Sequence, residues 1–146
     1  MRLSNGIYCV VIVALISASM RLWAHHSFAA EYDGTKPIKL SGTVTKFDMV
    51  NPHSWIYVDV KGPDGKIENW AIEAGSPNIL MRRGITKDSV KVGQKIVVDG
   101  YQSKDGSRRA NGRDLTLPDG KKLFLGSQDT GAPYEVQRPG IDTESK

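Results

Sequence analysis

Between Ser54 and Val60 the chain alternates strictly, with Ile56, Val58 and Val60 on one side and Trp55, Tyr57 and Asp59 on the other. Period-2 alternation of β-branched and aromatic residues is the pattern of a half-buried strand, so the aliphatic side is expected to face the core. Leu40 to Phe47 alternates as well, with Leu40, Gly42 and Val44 set against Ser41, Thr43, Thr45 and Phe47. A glycine inside a strand marks a bend or bulge, as where a sheet curls toward closure. Asn51-Pro52 separates the two runs. Proline fixes its own φ and biases the preceding residue away from helix, so His53 stands on a stiffened corner between two strands.

The remaining chain supplies short elements of the same kind. Strands are expected near Ile38–Phe47, Ser54–Val60, Lys66–Ile72, Lys95–Tyr101 and Ala110–Leu117, with a short run at Lys122–Leu125. Gly34 to Pro37 reads as a turn, and Gly62-Pro63-Asp64-Gly65 reads as a hairpin turn with left-handed geometry at Asp-Gly. One short helix fits after Ser76, which suits an N-cap, with Pro77 at the first helical position and Gly84 just past the end. The fold class is therefore all-β with one short helix. Three strands, a helix and two more strands match a five-stranded OB-like β-barrel, with another small antiparallel barrel or a sandwich as the other reading.

Residues 1–24 read as a signal peptide. Arg2 gives the positive start, and Ile7 to Ala18 is an apolar run too short for a comfortable membrane span. Ala24 suits the last residue before cleavage, although Leu22 is large for its position; cutting after Ser19 competes, and an uncleaved anchor is the other alternative. The domain organisation is then signal peptide 1–24, N-terminal arm 25–37, barrel 38–125 and a disordered tail 126–146, the last from its Gly, Pro, Ser, Gln and charge content.

Of 146 residues, losing the first 24 leaves 122, and losing Arg2 and Arg21 lowers the formal charge from +4 to +2. That is too little to imply nucleic acid or an anionic membrane as partner. The single cysteine, Cys9, leaves with the signal and is not at a lipobox-like site, so the mature chain is expected to have neither disulfides, thiolate metal sites nor a stable membrane anchor. The expected address is periplasmic or secreted. A domain of this size buries about two thirds of its chain surface, enough for a core without staples.

With His25-His26-Ser27-Phe28 after the signal, Asn51-Pro52-His53-Ser54-Trp55 at the corner, and Ser76-Pro77 leading to Asp88-Ser89 and Val92-Gly93, the chain resembles an uncharacterised family of secreted bacterial proteins, a domain of unknown function. The resemblance covers most of residues 25–125. It implies a periplasmic address and an OB-like fold, and it carries over no catalytic residues.

Two functional readings of different class follow. Cleavage after Ala24 makes His25 the first residue, offering its amine and Nδ1 to one metal ion. A further imidazole from His53 completes a T-shaped arrangement suited to copper, with His26 as a competing third ligand. Glu31 or Asp33 would serve as an axial ligand or support a ligand from behind. Cleavage after Trp23 would instead put histidine third, another copper-binding terminus. Against this stands a plainer reading, in which the histidines are a solvated terminus and a corner fastener. The alternative is a module that binds a protein partner, glycan or other small ligand through Trp55 and Tyr57, joined by Trp70 from the third strand; Phe28 and Tyr32 packing over these rings would turn that face into a second small core. The sequence reads against catalysis. Asp48, Asp59, Glu68 and Glu73 show no pairing spacing, no nucleophile, phosphate or zinc motif is present, and Lys104, Arg108 and Arg109 read as a solvated basic loop.

Overall fold

A computed structural model describes residues 27–128 and 130–136. The expected signal segment, His25, His26 and residues 137–146 lie outside the described residues. Among those described, six strands and three short helices follow in the order α1 (Phe28–Glu31), β1 (Tyr32–Asp48), β2 (Trp55–Lys61), β3 (Ile67–Glu73), α2 (Pro77–Arg82), β4 (Lys95–Ser103), β5 (Arg109–Thr116), β6 (Lys122–Phe124) and α3 (Pro133–Val136).

The strands form a ring. The order is β3-β2-β1-β4-β5, and a parallel pairing of β3 with β5 joins the two ends, while β6 hangs on β5. All other pairings are antiparallel. The 17-residue β1 serves two neighbours, pairing with β4 through Tyr32–Thr43 and with β2 through Gly42–Asp48. Gly42 lies in both registers. A Cβ there would sit 2.3 Å from the Asp59 carbonyl oxygen, so the absent side chain is what lets β2 approach. The bulge falls just beyond, at Thr45 between Val44 and Lys46.

The alternation of β2 holds. Ile56 and Val58 are fully buried and Val60 packs against them, with Trp55, Tyr57 and Asp59 half-buried on the other side. Ile72, Leu80, Ile96, Val98 and Leu115 complete the centre of the main core. The expected helix forms as α2. The Ser76 hydroxyl accepts from the Ile79 N–H at 3.5 Å, Pro77 opens the helix, and Gly84 takes a φ of +76° after it.

Three expectations are corrected. Gly34–Pro37 does not precede the first strand but belongs to it. Between Tyr32↔Ser103 and Pro37↔Tyr101 the register shifts, and the Asp33 carboxylate accepts from the Thr35 N–H and hydroxyl, so the turn chemistry is spent on a bulge within β1. The one expected helix is joined by others, since Phe28–Glu31 in the arm makes a helical turn that buries Phe28 and Pro133–Val136 makes another. Residues 126–128 and 130–136 are built into the fold rather than forming a disordered tail. Ala132 and Tyr134 are buried with Phe28, Tyr32 and Tyr101 in a second cluster, and the Phe28 N–H donates to the Thr130 carbonyl at 2.9 Å. Two apolar side chains in a polar segment suffice, because each meets aromatic surface already presented by α1 and β4.

Candidate functional site

His53 is placed by the ladder that follows it. Trp55 pairs with Glu73 at the end of β3, and one step further out the Ser54 N–H donates to the Gly75 carbonyl at 3.1 Å while Ser54 accepts from the Ala74 N–H at 2.8 Å. These bonds continue the β2–β3 ladder to the corner, so the residue next to His53 is fully buried and fixed. The imidazole stays partly open, with 26% of its side chain exposed.

Glu73 is the centre of the site. Alternation along β3 turns it away from the buried Ile72, onto the side of the sheet carrying Trp55. Its residue is only 6% exposed. One carboxylate oxygen contacts His53 Nδ1 and the other accepts from the Tyr32 hydroxyl at the start of β1. The parallel pairing sets Asn111 beside it, where the Asn111 amide oxygen accepts from the Tyr134 hydroxyl at 3.0 Å. Arg109, at the start of β5, donates to Glu31 at 2.8 Å and to the Tyr32 oxygen at 3.5 Å, and its guanidinium lies 5.5 Å from the centre of the Trp55 ring.

Charge follows from these contacts. The hydrogen bond to Glu73 raises the His53 pKa against the opposing effect of burial, with the charges of Glu73 and Glu31 adding to the rise. Burial pushes the Glu73 carboxyl up, but the hydrogen bonds from His53 and Tyr32 and the nearby His53 and Arg109 charges outweigh it, and the net shift is downward. Burial first, then the adjacent Glu73 charge, drives the Tyr32 phenol well above its ordinary range. Glu73 is thus an ionised acceptor held between two donors.

A small cleft opens beside this group, lined by Ser27, Glu31, Tyr32, His53, Glu73 and Ser127 among others, with space for about one water molecule. The buried Ser127 hydroxyl has no hydrogen-bond partner among the described residues. His53 Nε2 likewise makes no hydrogen bond with a described residue. Among the described residues, no three His, Cys, Asp or Glu side chains gather as a metal-holding group.

The sequence-derived candidates separate in space. His53 and Glu31 line the cleft, whereas Asp33 is engaged with Thr35 and Lys36 and does not line it. His25 and His26 precede Ser27 and lie outside the described residues. Trp55 and Tyr57 share a face, each with a cation over its ring, Arg109 on Trp55 and Lys46 on Tyr57 at 5.5 Å. Trp70 does not join them. It pairs with Val58, so it lies on the inner side and packs against the main core, with its indole N–H toward Glu68 at 3.4 Å. Phe28 and Tyr32 do form a second core, but with Tyr101 and Tyr134 rather than over Trp55 and Tyr57. The basic loop is engaged as well, through Lys104 to the Ala29 carbonyl, Arg108 to Glu68 and Arg109 to Glu31.

Glu73, Tyr32, Arg109 and Ser127 were not singled out as site residues by sequence reasoning. One of them was reachable. The Gly62–Gly65 turn fixes the β2–β3 register, and counting outward from it sets Glu73 against Trp55, one rung from His53. The others arrive through long-range pairing that no local pattern marks.

Among the described residues, no helix is long and apolar enough to cross a membrane. A family model for proteins of unknown function matches residues 13–112. No curated protein matches the chain.

Proposed function

The chain belongs to that family of unknown function, DUF6152, and we propose that it is an exported, periplasmic or secreted copper-binding protein with an OB-like barrel. The strand order β3-β2-β1-β4-β5 closed by a parallel β3–β5 pair supports the barrel reading.

One observation carries the copper reading: Ser27 and His53 line the same cleft. The two histidine motifs are far apart in sequence, yet the chain leaving Ser27 toward the N-terminus is His26 and then His25. Two peptide bonds separate His25 from Ser27 in the sequence. The donor set fits the metal. A terminal amine and imidazoles suit copper, and the Glu31 carboxylate stands at the same cleft as an axial or supporting group. The unpartnered Ser127 hydroxyl supports a polar ligand there. The ligands of this reading are His25 and His53, with His26 as the competing third. The histidines bind, and the protein carries or holds the ion rather than transforming a substrate.

The partner- or glycan-binding alternative retains Trp55 and Tyr57 but not Trp70, which faces inward. The test is the protein exported and processed in cells, with intact mass and copper affinity measured on one sample. The expected result is a chain starting at His25 that binds one Cu(II) with a nitrogen-rich spin-resonance spectrum. His53→Ala should abolish tight binding, while Trp55→Ala should leave it intact. Correctly processed protein that holds copper no better than a histidine-containing peptide would overturn the reading.

A further inference from the structure

We infer that a hollow at a bulge between β4 and β5 binds a small α-amino acid, with the ligand carboxylate on Arg113 and its ammonium on Asp99. This site is separate from the one in the copper reading. No residue lines both it and the His53 cleft.

The ladder builds the site. Asp99 pairs with Asp114 and Gly100 pairs with Gly112, so Arg113 is the extra residue on β5. A bulge bends its strand and re-aims the side chain that falls on it. Two contacts fix the bulge. At Gly100 a Cβ would stand 2.2 Å from the Asn111 carbonyl oxygen, so only glycine lets β4 and β5 approach there. From the other side, the Arg113 carbonyl accepts from the Leu125 N–H at 2.8 Å. The hollow measures about 80 Å³ and is lined by Pro37, Ile38, Asp99, Gly100, Tyr101 and Arg113.

Its two charged groups are only partly engaged. Arg113 uses Nε alone, donating to Asp114 at 2.7 Å, and its two terminal nitrogens make no hydrogen bond or ion pair with a described residue. A planar pair of N–H donors matches the two oxygens of a carboxylate. Asp99 meets Lys39 through one oxygen at 3.3 Å, and its other oxygen has no partner among the described residues. The Lys39 side chain is 69% exposed, so solvent screens that pair and the Asp99 charge still acts in the hollow. The Asp114 hydrogen bond first, with the Tyr101 and Asp99 charges among the smaller causes, raises the Arg113 pKa, so Asp99 and Arg113 lie within electrostatic reach of each other.

The lining therefore offers one cation and one anion beside the apolar Pro37 and Ile38. A ligand carrying a single charge would satisfy one of them and face its like in the other. A molecule that is neutral overall but carries both charges close together satisfies both. An α-amino acid has that pattern, and its side chain would lie toward Pro37 and Ile38. The space equals the share of about three water molecules, which suits glycine or alanine and leaves a longer side chain in solvent.

An NMR titration of the full folded protein, labelled with nitrogen-15, tests this. Glycine and L-alanine are the probes, and acetate and methylamine present each charge alone. Glycine and alanine should give saturable amide shifts centred on Ile38, Asp99 to Tyr101 and Arg113, with a Kd on the order of 1 mM. Acetate and methylamine should bind about tenfold more weakly or less, because each leaves one charged partner unused. Arg113→Met and Asp99→Asn should each weaken glycine binding about tenfold or more. Both side chains are partly exposed, so the variants should fold, and amide shifts away from the bulge that match wild type check it. Absence of any saturable glycine shift overturns the inference. So does acetate binding as tightly as glycine, which would make this a plain anion site, or a folded Arg113→Met protein that binds glycine like wild type. His53→Ala should leave glycine binding unchanged, and since no probe contains a metal, failure here and failure of the copper reading are read separately.

Discussion

Tyr32 and Glu73 stand 41 positions apart and share a buried hydrogen bond that ties the start of β1 to the end of β3. Both residues are almost fully buried, and the carboxylate is ionised. Removing the phenol oxygen leaves a buried charge with one donor fewer, at a cost of about 1–3 kcal/mol. Tyr32→Phe is expected to lose that much in urea unfolding, with the slope unchanged. Loss within error of zero would mean that water replaces the hydroxyl.

Gly42 and Gly65 should respond to alanine for different reasons. At Gly42 the new Cβ meets backbone, the Asp59 oxygen at 2.3 Å, as well as Val58 Cγ1 at 2.7 Å. Neither strand can yield without disturbing the pairing with β2, so Gly42→Ala should cost about 3 kcal/mol or more. A Cβ at Gly65 would meet only the Lys61 Cε at 3.9 Å, an ordinary contact, but the φ is +82°, so Gly65→Ala should cost only the left-handed strain of about 1–2 kcal/mol. Thermal unfolding of the two variants side by side checks the order, and a reversal would contradict the close approach of β1 and β2.

The hairpin and the helix were legible because their determinants are local. The Asp64-Gly65 turn sets the β2–β3 register, and Ser76, Pro77 and Gly84 bound α2. The start of β1 was not legible, because Gly34 to Pro37 carries turn residues whether the turn ends a strand or bulges from one. Trp70 was within the same reach as Glu73, since the register that the turn sets puts it against the buried Val58 and so on the inner side of β3. Of the site, His53 and Glu31 could be named from sequence. Tyr32 and Arg109 could not, since their roles exist only once β1 and β5 are brought beside β3.

Arg109 joins three groups, Glu31 at 2.8 Å, the Tyr32 oxygen at 3.5 Å and the Trp55 ring at 5.5 Å. Lysine retains the charge but lacks the planar fork that donates while lying over a ring. Both sides of the ion pair are partly exposed, 38% and 30%, so its own worth is under about 1 kcal/mol. Arg109→Lys should therefore destabilise by about 1 kcal/mol, mostly through the lost stacking. A double-mutant cycle with Glu31→Gln separates the two contributions. A coupling well above 1 kcal/mol would show the ion pair to be the larger of them.

Tyr134 gives the fold a sensitivity to alkali. It is 3% exposed, and burial pushes its phenol up from 10.0 to about 12. Below pH 10 both folded and unfolded chains hold the proton, and the residue adds no pH dependence. Between about 10 and 12 the unfolded chain releases the proton while the folded chain keeps it. Unfolding is then favoured by rising pH, by on the order of 3 kcal/mol across the window. Tyr32, shifted upward as well, adds to the same fall. Tyr134→Phe removes the hydroxyl donated to Asn111 and so costs about 1 kcal/mol at neutral pH. It also removes one of the groups that titrate. Its unfolding free energy should consequently fall less steeply than wild type from pH 9.5 to 11.5, so that the two proteins converge as alkali is added. Parallel curves in urea unfolding across that range would mean that the Tyr134 phenol reaches solvent in the folded chain, and the second aromatic cluster would then be looser than its packing against Phe28 and Tyr101 implies.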